Sequence, residues 1–112
     1  MKSYPLLALL AGLIATPAWA TDPADPGERA VANAGRLNGI ALACRAKDEA
    51  DRLRLAVIEH APKLREIGEL FEKSTDASFK EAATRPCPLP EALRMESAAA
   101  VERLRKIFPP PG

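Results

Sequence analysis

Proline placement is the strongest constraint on this chain. Its 11 prolines cluster in four places. Pro5, Pro17, Pro23 and Pro26 lie at the start, Pro62 in the middle, Pro86, Pro88 and Pro90 further on, and Pro109–Pro111 at the end. Proline lacks a backbone donor and clashes with the preceding helical turn, so it begins or ends a helix but is rarely found inside one. Three long proline-free stretches remain. None alternates β-branched and polar residues with a period of two, and no Asn-Gly or Asp-Gly hairpin turn interrupts them. No internal repeat is present. The chain therefore reads as all-α, a small three-helix bundle. The first helix is expected from about Glu28 to Ala61, the second from Pro62 to about Ala83, and the third from Pro90 to Phe108. The polar run Ser74-Thr75-Asp76 could interrupt the second helix, but continuity is expected. Asp25 followed by Pro26 fits a cap with proline at the first helical position.

The first twenty residues have a different character. Lys2 precedes an apolar run from Leu6 to Ile14, Pro17 breaks it, and Ala18-Trp19-Ala20 places small residues where a signal peptidase cuts. The run is too short to span a bilayer, which disfavours a retained anchor. Residues 1–20 are expected to be a signal peptide cleaved after Ala20. Residues 21–27 would be a flexible leader, residues 28–108 the helical domain and residues 109–112 a proline-rich tail. The tail reads as a helix stop rather than a polyproline recognition segment.

Export determines how the two cysteines are read. In an oxidising compartment Cys44 and Cys87 allow one intrachain pairing, and they are too far apart for a Cys-x-x-Cys redox or zinc motif. A structural disulfide is expected, rather than a reactive or metal-binding thiol pair. On the chain-entropy view it is worth up to about 4 kcal/mol, a large share of the stability of a domain this size.

Helical periodicity then assigns faces. Over the expected first helix, Leu37, Ile40, Ala41, Cys44, Leu55 and Ile58 share one side. Leu42, Ala46, Ala50, Leu53 and Val57 form a second apolar stripe opposite. A helix apolar on two sides needs cover on two sides, so the second stripe is the expected partner face. In the second helix Leu64, Ile67, Gly68, Phe71, Thr75, Ser78 and Ala82 make the inner face. In the third, Leu93, Ala100, Leu104, Ile107 and Phe108 do.

The residues that carry most chemistry are sparse. The chain has one histidine, His60, at the expected end of the first helix, where it complements the helix dipole. Asp48 and Asp51 read as a solvated face, Asp48 at ion-pair spacing with Arg52 and Asp51 with Lys47 or Arg54, rather than as a carboxylate pair in a groove. Glu66, Glu69 and Glu72 are interleaved with Arg65 and Lys73, which again reads as solvated surface. Arg103, Arg105 and Lys106 are the cations expected near a helix C-terminus. There is no Gly-rich phosphate loop and no carboxylate-x-x-His spacing. The net charge of +1 includes Lys2, so the exported chain is neutral, which gives no electrostatic case for nucleic-acid binding. Tyr4 and Trp19 leave with the signal peptide, so Phe71, Phe79 and Phe108 are the remaining aromatics.

At the level of layout, the chain resembles the small periplasmic acid-stress chaperones, which are exported, of about this length, all-helical and held by one long-range disulfide. The resemblance rests on Cys44, Cys87 and their spacing. This chain has fewer aromatics and a different pattern around both cysteines. What it implies is a binding role. Together these readings lead us to expect a non-catalytic, periplasmic or secreted protein-binding module without a cofactor, akin to a chaperone, inhibitor or accessory subunit. The expected partner is another protein, or a second copy in a homodimer. The alternative is a periplasmic carrier of a small ligand or metal. Neither nucleic-acid binding nor a stable membrane anchor after signal cleavage is expected.

Overall fold

The computed structural model describes residues 25–111. The expected signal peptide, its cleavage after Ala20, residues 21–24 of the leader and Gly112 lie outside the described residues. The described chain is all-helical, with four helices where the proline pattern predicted three. These are α1 (Pro26–Ala43), α2 (Lys47–His60), α3 (Arg65–Ala82) and α4 (Pro90–Ile107).

The additional helix arises because the expected first helix breaks at Cys44–Ala46. Arg45 adopts a left-handed backbone, with φ of 60°. The Arg45 amide donates to the Leu42 carbonyl (3.3 Å) and the Ala46 amide to the Ala41 carbonyl (2.7 Å). This pair of bonds is a Schellman stop, which usually places glycine at the left-handed residue. Here an arginine occupies that position, so the sequence carries no glycine to mark the stop.

At its other end α1 starts where Asp25 and Pro26 predicted. The Asp25 carboxylate accepts from the Glu28 amide at 2.9 Å, and Pro26 opens the helix. Pro26 and Gly27, assigned above to a flexible leader, are therefore helical, and Gly27 is buried. A Cβ at Gly27 would lie 2.8 Å from Phe108 Cζ, so the end of the chain closes over the start of α1.

α1 is the hub. It packs against α2, α3 and α4, and α2 packs against α4. No Cα of α3 lies within 8 Å of a Cα of α2 or α4. The fold is thus a three-helix bundle of α1, α2 and α4 with α3 laid along another side of α1. The bundle core is leucine and alanine: Leu37 from α1, Leu53 and Ala56 from α2, Leu93, Ala100 and Leu104 from α4. Ser97 is also fully buried in the α4 stripe, and its hydroxyl has no hydrogen-bond partner among the described residues.

The α1–α3 seam is built differently. A Cβ on Gly35 would lie 2.7 Å from Ser74 Cβ and 2.8 Å from the Phe71 carbonyl, and one on Gly39 would overlap the Thr75 carbonyl. The two helices therefore approach closely through glycine. Hydroxyls complete the contact. Asn38 Nδ2 donates to Thr75 Oγ1 (3.1 Å), and Ser78 Oγ donates to the Arg36 carbonyl (2.6 Å). With the Thr75 side chain engaged in this way, α3 runs unbroken through Ser74–Asp76. It starts at Arg65 rather than Pro62, because residues 62–64 form a short non-helical connector.

Candidate partner-binding cleft

The break at Arg45 resets the helical phase, and this exchanges the two faces expected on α2. Of the expected partner face, Leu53 is 0% exposed, Ala50 and Val57 are buried and Ala46 is half-buried against the core. The chain itself covers these residues. Leu42, which belongs to α1, is the exposed member of the set. Leu55 and Ile58, expected to continue the core face of Leu37 and Ala41, are more than half exposed instead. An unbroken helix would have carried the α1 phase into α2, whereas the turn rotates α2 so that its other stripe meets the core.

Cys44 and Cys87 form the expected disulfide, with Cα atoms 5.8 Å apart. It ties the C-cap of α1 to the connector between α3 and α4. Because α3 and α4 both flank α1 with no close backbone approach to each other, a cleft of about 290 Å³ opens between them beside this bond. Ile40 from α1, Cys44 at its C-cap, Ala82 from α3, and Pro86 and Pro88 from the connector line it with apolar surface. Arg36, Glu81, Arg85 and Glu96 supply charge around the same cleft. Arg36 and Glu96 approach to 4.0 Å across the α1–α4 crevice, and Arg85 pairs with Glu81 at 2.8 Å. All four side chains are about half or more exposed, so these pairs are worth at most about 1 kcal/mol each and break readily. A shallower depression of about 220 Å³ continues past Arg36 and Glu96 along Asn33, Leu37 and Arg103.

The other sequence candidates lie elsewhere. His60 is the last residue of α2, half-buried, 4.0 Å from the Glu59 carboxylate and beside Arg105, Lys106 and Pro110. Asp48 and Asp51 are exposed, and Asp51 accepts from Lys47 Nζ at 2.8 Å, which holds the Lys47 amine above its ordinary pKa. Arg105 reaches back to both oxygens of Glu102. Glu66 and Glu69 line a depression with Glu28 and Lys73, and Glu72 is exposed outside it. Arg94 pairs with Glu91 in the first turn of α4, holding the Glu91 carboxyl below the usual carboxylate range and the guanidinium above its own. Among the described residues no three His, Cys, Asp or Glu side chains converge as a metal site. No described helix is long and apolar enough to cross a membrane.

Sequence reasoning singled out Cys44 but missed the cleft around it. The available signal was Arg36, Ile40 and Cys44 at steps of four residues, one helical strip alongside the Gly35–Gly39 strip. Comparison with known proteins returns no match to a family model, a curated protein or a solved structure.

Proposed function

We propose that this chain is a small exported, non-catalytic protein-binding module of the chaperone, inhibitor or accessory-subunit kind, and that it takes its partner at the α3–α4 cleft. The observation that carries this reading is the cleft itself, with an apolar lining, charged groups around it and a mouth open to solvent. Protein interfaces share this layout, an apolar centre within a polar surround. An extended segment of another protein would set an apolar side chain against Ile40 and Ala82. Its flanking charges would exchange with the weak Arg36–Glu96 and Arg85–Glu81 pairs. The disulfide supports the exported, periplasmic or secreted setting, where such bonds persist.

Transport of a small ligand is the second reading. It is favoured by the cleft volume of about 290 Å³, which lies at the lower edge of ligand-pocket sizes. One experiment separates the two. A photo-cross-linking residue is placed at Arg85, on the cleft, and separately at Glu72, exposed on α3 away from it. The proposal expects a polypeptide adduct from position 85 and none from 72, lost when Ile40→Asp is added. Equal adducts from both positions, or none, contradict it. A low-mass species retained in native mass spectrometry, with no adduct, would favour the carrier.

A further inference from the structure

We infer that the Cys44–Cys87 disulfide latches α3 in place, and that a dithiol reductant lets α3 swing off α1 and widen the cleft while α1, α2 and α4 stay folded. The inference rests on packing alone and holds whether or not the cleft has a partner.

The contacts of α3 make it separable. Its sole helical neighbour is α1, and of its side chains only Phe71, Thr75 and Ser78 are buried. The seam joins glycines to hydroxyls, and Phe71 is the one buried large apolar side chain that α3 adds to the core, with Ile67 and Leu70 half-buried beside it, whereas apolar burial is the term that dominates folding stability. Elements with few buried apolar contacts open at lower free energy than the core around them. No atom lies within 4 Å of a Cβ built on Gly68, so the first half of α3 is also open on that side.

Chain reach shows what the latch controls. With the disulfide closed, Ala83–Pro86 joins α3 to a pinned point and extends to at most roughly 14 Å. With it open, the next fixed point is the start of α4, and Ala83–Leu89 extends to roughly 25 Å. The added length is about one helix diameter, which is what α3 needs to lift from α1. At the other end the exposed Pro62–Leu64 connector serves as the pivot. Cys87 is exposed and Cys44 half-buried, so the bond is reachable from solvent. The reaction is a dithiol exchange. The reductant supplies two electrons and two protons, the Cys44–Cys87 bond breaks to two thiols, and the reductant closes its own disulfide.

Hydrogen exchange with mass spectrometry on the full chain tests the latch. The oxidised protein is compared with protein held in dithiothreitol and with the Cys44→Ala/Cys87→Ala variant. Peptides over residues 65–82 should exchange at least about tenfold faster in both open forms, while residues 47–60 and 90–107 change by less than about threefold. Equal acceleration of all helices would overturn the inference, because the disulfide would then hold the entire fold. An α3 as slow as in the oxidised chain would overturn it too, because the seam would then hold without the latch.

Discussion

On one side α1 is met by side chains, on another by a backbone. Toward α2 and α4 the contact is leucine against alanine, and its strength is apolar area removed from water. Toward α3 the contact is glycine against main chain beside the buried Phe71, closed by the Asn38–Thr75 and Ser78–Arg36 hydrogen bonds. The first kind of interface tolerates a lost methylene by repacking and loses energy in proportion to what is removed. The second depends on distance, since one methyl group in the wrong place pushes a whole helix away. The same small chain therefore contains a leucine–alanine bundle and a glycine-seamed wall, with the cleft between that wall and α4.

Substitutions separate the two regions. The largest effect belongs to the bundle. Leu53 is fully buried between α2 and its neighbours, and Leu53→Ala should cost about 2–5 kcal/mol, read as a lower Tm for the whole chain. Next comes a pair of glycines with opposite expected signs. Alanine is favoured over glycine in a helix by about 1 kcal/mol. At Gly68 nothing opposes that gain, so Gly68→Ala should raise the Tm. At Gly39 the added methyl meets the Thr75 carbonyl and the Phe79 amide, backbone atoms that no rotamer change can move. Overpacking costs about 1–3 kcal/mol and outweighs the propensity gain, so Gly39→Ala should lower the Tm. A common sign for both would erase the distinction between seam and surface.

Ser97→Ala sharpens the bundle side. It removes a fully buried hydroxyl without a partner and should stabilise by about 1 kcal/mol, because an unpaired buried polar group carries its desolvation cost uncompensated. The smallest effect is electrostatic. The Glu91 carboxyl titrates below its ordinary value because it accepts from Arg94. Its contribution is thus present above the unfolded carboxyl pKa and lost as pH falls through the lowered folded value. Between about pH 5 and pH 2 the Tm should fall slightly more steeply for the parent chain than for Arg94→Ala. The pair is exposed, so the difference should be smaller than any of the changes above.

Much of this architecture is legible in the sequence. Proline placement locates α4 and the end of α3 to within a residue, though α3 begins three residues past Pro62, and the cysteine count with the expected export signal gives the disulfide. The spacing of Leu93, Ala100 and Leu104 gives the α4 stripe, with Ser97 hidden in its register as a small polar residue. The helix break at Cys44–Ala46 is not legible, because Arg45 takes a left-handed conformation that glycine usually signals. That one residue also reverses the faces of α2, assigning Leu53 and Val57 to a partner and Leu55 and Ile58 to the core. The cleft is the hardest to foresee. It is assembled from α1, α3, a connector and one residue of α4, and no periodicity within a single helix links Ile40 to Ala82 or Pro86.

The most direct test of two differently held regions is native-state hydrogen exchange on the oxidised parent chain, resolved by residue and repeated at low denaturant. The account predicts that the slowest amides of α2 and α4, around Leu53 and Leu104, exchange only through global unfolding and respond steeply to denaturant. Those of α3, around Phe71 and Thr75, should exchange through a smaller opening with a shallow response. If the α3 amides share both the free energy and the denaturant slope of Leu53 and Leu104, the four helices form one cooperative unit and the distinction between bundle and wall is wrong.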